Sequence, residues 1–146
     1  MKLLTAFVLL VSLALTASVP PAIAQSMADQ KACAEAAQKA FDDYKATDWH
    51  TDRTASLESH FNNQLHICVA LVTTTSSTPH PLAFKTLSDA IGGHQFAHYM
   101  WENREDKHYW EVKPYACSFE KTPYGPASAC NTAEEFDAAV QLYMTT

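Results

Sequence analysis

Apolar and polar positions change period several times along the chain. From Cys33 through Ala36, Ala37, Ala40, Phe41 and Tyr44 the apolar residues recur at helical spacing, with Lys31, Glu35, Lys39 and Asp42 on the other side. This predicts an amphipathic helix over about 27–46, capped by Ser26 with Asp29 three positions on, near the positive end of the helix dipole. Its buried stripe is mostly alanine, which allows close approach of a partner surface, and Cys33 points inward. Thr47 to Ser59 is polar and mixed and reads as a connection. Phe61, Leu65, Ile67, Val69 and Leu71 then alternate with His60, Asn62, Gln64, His66 and Ala70, which predicts a strand over about 64–74 before the Thr73–Thr78 run.

Gly92-Gly93 is a two-residue turn signal that tolerates positive φ at both positions. It predicts a hairpin of 84–91 against 94–101, with Ile91 opposite His94, Asp89 opposite Phe96 and Leu87 opposite His98. The aromatics and valine of His108–Phe119 suit a third hairpin-linked strand, at an edge or bulged because of Pro114. Pro123-Tyr124-Gly125-Pro126 reads as a loop. Thr132 and Glu135 form a capping box, and Phe136, Val140 and Tyr143 mark the apolar face of a helix over about 133–144. The expected fold is α+β: an antiparallel meander of three to four strands, with an N-terminal and a C-terminal helix packed on one face.

The N-terminus adds a destination. Lys2 precedes an almost unbroken apolar run from Leu3 to Val19, then Pro20-Pro21 and the small-residue motif Ala22-Ile23-Ala24. This pattern predicts a signal peptide over 1–24, cleaved after Ala24, and a single domain over 25–146 that is periplasmic or secreted. The remainder offers no apolar stretch of the ~20 residues that a membrane span needs. The formal net charge is −6, and Lys2 is the one charged residue of the expected signal, so the mature domain carries −7. That charge disfavours nucleic acid and anionic lipid and suits a cationic partner. Hydrophobic residues at 47% against 18% charged exclude a disordered chain. Three glycines leave none for a phosphate-binding loop, and no cofactor motif occurs.

All four cysteines, Cys33, Cys68, Cys117 and Cys130, fall in the exported part, where an even count implies two disulfides. Three pairings are possible; Cys33–Cys68 with Cys117–Cys130 is favoured, since each would tie a helix to its nearest strand. On the expected hairpin, Asp89, His94 and His98 share one face and could hold zinc or copper, although diagonal spacing of roughly 7 Å makes a loose site. Tyr99, Trp101 and Trp110 belong to an aromatic-rich region that could form a binding surface for protein or carbohydrate. No nucleophile-elbow, zincin or free-cysteine motif occurs, which argues against an enzyme.

Ser59-His60-Phe61-Asn62, followed by Leu65 and Cys68-Val69, then Leu87-Ser88-Asp89 before a glycine turn and an aromatic strand, and finally Cys130 before Glu135-Phe136-Asp137, resembles a group of small exported proteins of unknown function from Gram-negative bacteria. The resemblance implies a stapled α+β domain and no particular activity. The expected function is therefore non-enzymatic binding of a protein or small molecule. Alternatives are a periplasmic metal-binding protein and an inhibitor of a cationic cell-wall hydrolase.

Overall fold

The structure, a computed structural model, describes residues 21–48, 53–76, 81–103, 107–108 and 111–145. Most of the expected signal segment, 1–20, and Trp110 lie outside the described residues. Helix α1 (Pro21–Asp48) leads into strands β1 (Arg53–Asn62), β2 (Ile67–Ser76), β3 (Leu82–Asp89), β4 (Gln95–Glu102), β5 (Ala116–Glu120) and β6 (Ala127–Ala129), and α2 (Ala133–Met144) closes the domain. The strands form one antiparallel sheet in chain order. The α+β class and the meander are as expected, but the described residues form six strands in place of the expected three to four.

The extra strands come from segments with weak apolar signals. Residues 53–62, with 53–59 expected as connection and 60–62 as the lead into a strand over about 64–74, form edge strand β1, whose odd-numbered positions from Arg53 to Phe61 are half-buried. Only Leu57 and Phe61 among them are large and apolar, so the alternation is faint. The period-two run through Phe61 and Leu65 is broken by a turn that uses no glycine. Asn62 Oδ1 accepts from the backbone N–H groups of Gln64 and Leu65 at 3.1 and 2.9 Å, and His66 takes φ 52. At the other edge, β6 occupies what was expected as loop. The strand expected over 108–119 shortens to β5: Glu111 N–H donates to His108 O at 2.9 Å, not to a neighbouring strand, and Pro114 has no N–H for a ladder.

The helices pack on opposite faces of the sheet, not on one. Cys33 of α1 is bridged to Cys68, and Tyr44 reaches Thr74 at 3.4 Å, so α1 covers the even-numbered side of β2. Register carries that side across to Phe84, Thr86 and Ser88, then to His98 and Met100. The other side holds Val69, Leu87, Ala97, Tyr99 and Trp101, all buried with Phe136, Val140 and Tyr143 of α2 in the main core. Lys85 lies along that core, its ammonium 5.9 and 5.8 Å from the Tyr99 and Phe136 ring centres and 2.7 Å from Asp137.

Helix α1 already includes Pro21, the first residue of its described stretch, so the expected cap Ser26 and the expected cleavage motif are inside the helix. The α2 boundaries match expectation: Glu135 N–H donates to Thr132 Oγ1 at 3.1 Å, and the Glu135 carboxylate accepts from Asn131 N–H at 2.7 Å. Both favoured disulfides form, with Cα–Cα distances of 5.2 Å for Cys33–Cys68 and 5.1 Å for Cys117–Cys130. The second pins the short β6 and the start of α2 to β5. No described helix is long and apolar enough to cross a membrane.

Candidate functional site at the end of the sheet

The β3–β4 connection sets the site's geometry. A two-residue hairpin is not formed. Gly93 N–H donates to Asp89 O at 2.9 Å, Asp89 N–H to His94 O at 2.8 Å, and Gly93 alone of the pair has positive φ, at 73. The Asp89 carboxylate helps shape this longer loop by accepting from Ile91 N–H at 2.9 Å. Gly92 is needed for space: a Cβ there would lie 2.6 Å from Asp89 Oδ2. The loop leaves Leu87 opposite Ala97 and Thr86 opposite His98, one residue away from the expected pairing. Ser88 then pairs with Gln95, so Phe96 is an additional residue on β4, a bulge that buries Phe96 and Ala97 together.

That one-residue change separates the expected metal ligands. His98 projects on the α1 side, where its Nδ1 hydrogen-bonds Ser118 Oγ at 3.1 Å and contacts Gln95 Nε2 at 3.3 Å. Asp89, register partner of core residue Val69, is on the α2 side, as is His94, whose ring meets Phe96 edge-on. Among the described residues, no three histidine, cysteine or acidic side chains converge on a point that could hold a metal. The expected aromatic surface is also redistributed: Tyr99 is 0% and Trp101 6% exposed, so both are core residues facing α2. With one face thus filled, these rings stabilise the fold and are not available to a ligand.

Two residues absent from the expected site complete the cluster around His94. Glu120, at the end of β5, accepts from or pairs with His94 Nε2 through Oε1 at 2.9 Å. Its second oxygen, Oε2, is buried with no hydrogen-bond partner among the described atoms, and the residue is 9% exposed. Tyr124, in the β5–β6 turn, lays its ring 4.7 Å from that of His94 and directs its hydroxyl to Asp89 Oδ2 at 3.4 Å. Partial desolvation, then the charges of Asp89 and Glu120, raise the Tyr124 hydroxyl above its ordinary pKa, so it remains a donor.

Tyr124 is held there by a strained turn. Gly125 N–H donates to Thr122 O at 3.0 Å, Pro123 occupies the second position, and Tyr124 at the third has φ 61. Glycine is the usual third residue of such a turn; here it comes one place later, and a Cβ on Gly125 would meet Thr122 Oγ1 at 2.6 Å. A bulky residue in the left-handed region costs on the order of 1–2 kcal/mol. The cluster is nevertheless rigidly founded. Phe96 stacks on Tyr143 of α2 at 5.0 Å, and the Tyr143 hydroxyl donates to Glu120 O at 2.9 Å. The signals for this site were Pro123-Tyr124-Gly125, with an aromatic where glycine is usual, and an acid closing a strand. Neither announces the long-range contact with His94.

Comparison of the chain with protein-family models, with curated proteins and with solved structures finds no match.

Proposed function

We propose that this chain is an exported, disulfide-stapled domain that acts by binding a partner rather than by catalysis, and that its binding surface is the sheet end formed by Asp89, His94, Glu120 and Tyr124. The observation that carries the reading is Tyr124: 63% exposed, in a strained conformation, yet positioned over a His–Glu pair by a scaffold anchored to the core. Strain of this kind is retained where surrounding structure enforces it, and it clusters at sites of function. Two disulfides favour an oxidising compartment, in keeping with the signal-like N-terminus. Among the described residues, the ring and hydrogen-bond partners of the His94 side chain are Phe96, Tyr124 and Glu120, aromatic or carboxylate groups that offer no alcohol or thiol nucleophile.

Affinity capture from a periplasmic extract with the oxidised protein and with its Tyr124→Ala variant tests this reading, followed by reconstitution of any retained protein in purified form. Retention by the parent and loss with the variant, reproduced with purified components, supports it. Equal retention by both places the binding surface elsewhere.

A further inference from the structure

Resting on that reading, we infer that the sheet-end site takes an alkyl cation bearing N–H donors, a primary ammonium or a guanidinium, of the kind presented by a lysine or arginine side chain. Three observations converge on this chemistry. Glu120 is nine-tenths buried, and while one carboxylate oxygen engages His94, the other has no partner. An uncompensated buried acceptor of this kind costs free energy until a donor reaches it. Asp89 supplies a second carboxylate, whose Oδ2 has a long contact with a phenol hydroxyl and no ion pair with a described lysine or arginine. Lys121, next to Glu120 in sequence, lines the groove beside α2 with Leu142 and Glu135, and Lys85, nearest in sequence to Asp89, pairs with Asp137.

Between the two carboxylates lie the rings of Tyr124 and His94, with Phe96 beneath them. Carboxylates supply directed acceptors for N–H groups, and a tyrosine face attracts a cation and covers its alkyl stem. An anion would meet two negative groups, and a neutral apolar ligand would leave Glu120 Oε2 as it is. In the proposed binding step the exposed Tyr124 side chain swings outward, breaking its 3.4 Å hydrogen bond to Asp89, to admit the cation toward Glu120. In the bound arrangement the cation donates to Glu120 Oε2 and Asp89 Oδ2, and the Tyr124 ring closes over its stem. The net charge of −7 beyond the expected signal draws such a group toward the domain from a distance.

The test is an NMR titration of the oxidised full chain with n-butylguanidinium at constant ionic strength, following the ring signals of His94, Tyr124 and His98. Tetramethylammonium and butanoate serve as controls, and the blocked tripeptide Gly-Arg-Gly distinguishes a peptide-borne group from a free one. Saturable shifts at His94 and Tyr124 but not His98 are expected with the guanidinium and the tripeptide. Binding should be weaker by about tenfold or more in Glu120→Gln and in Asp89→Asn, each a loss of one charge-assisted hydrogen bond. Response to the guanidinium alone assigns the site to a free small cation; response to the tripeptide as well assigns it to a side chain. Absence of a saturable shift, or an equal response to tetramethylammonium, overturns the proposal. A captured partner that is lost with Tyr124→Ala but kept by both Glu120→Gln and Asp89→Asn also overturns it, while leaving the sheet end as the binding surface.

Discussion

The side-chain amide of Asn62 donates to the backbone carbonyl of Tyr143 at 3.0 Å, joining the end of the first strand to the end of the last helix across 81 positions of sequence. The same amide reaches Thr145 O at 3.3 Å, while its oxygen accepts from Gln64 and Leu65 N–H. One buried residue therefore completes the β1–β2 turn and satisfies carbonyls that α2 leaves open at its C-terminus. Asn62→Ala should destabilise the domain by about 2–4 kcal/mol, since it strands several polar groups at once. Asn62→Asp should be no better, because a carboxylate can serve the turn but cannot donate to the helix carbonyls. Urea unfolding of the two variants checks both statements.

Tyr143 gives the fold an alkaline limit. Burial first, and the charge of Glu120 second, push its hydroxyl from 10.0 up to about 12. In the unfolded chain it ionises near 10, whereas the folded state holds its proton, so stability falls as pH rises from about 10 to about 12 and is unaffected by this group at neutral pH. The loss amounts to roughly 2–3 kcal/mol across that window. Tyr143→Phe should flatten the dependence while losing the hydrogen bond to Glu120 O, as read by unfolding curves at stepped pH.

The strained turn predicts an order among substitutions at one position. Because Tyr124 sits at φ 61, Tyr124→Gly should be more stable than Tyr124→Ala by about 1 kcal/mol, although both lose the ring. Thermal melts of the pair, compared at equal concentration, measure the difference. Equal stability would show that position 124 is unstrained in solution.

The disulfides carry distinct parts of the fold. Peptide mapping of the unreduced protein should recover Cys33 with Cys68 and Cys117 with Cys130. On the chain-entropy model, removing the first bridge costs about 4 kcal/mol and the second about 3 kcal/mol. Loss of Cys117–Cys130 should be distinguished by rapid amide exchange in β6, whose three residues have little else to hold them to β5.

What the sequence made legible follows the strength of local signals. Helix α2 was readable because Thr132, Glu135 and the Phe136–Val140–Tyr143 stripe all point to the same element. Proximity in sequence favours the disulfide pairing Cys33–Cys68 and Cys117–Cys130, which is the pairing formed. Strand β1 was not readable, since edge strands present few large apolar residues and its turn uses Asn62 and His66 in place of glycine. The hairpin register failed for a related reason. Gly92-Gly93 suggests two left-handed residues, but Asp89 caps a longer loop and Gly92 is there to make room for that carboxylate. Phe96 then enters as a bulge, and a shift of one residue sends His98 to the other side of the sheet. Glu120 and Tyr124 could not be joined to His94 by any spacing rule, because the β4–β5 and β5–β6 pairings bring them together.

Photo-crosslinking in cells that produce the chain addresses the central claim most directly. Tyr115 and Tyr124 are exposed to nearly the same degree, 65% and 63%, but only Tyr124 belongs to the sheet-end site. With p-benzoylphenylalanine placed at one position or the other, a discrete adduct from 124 and none from 115 is the expected result. The same adduct from both positions, or an adduct from 115 alone, would contradict the assignment of the binding surface to the end of the sheet.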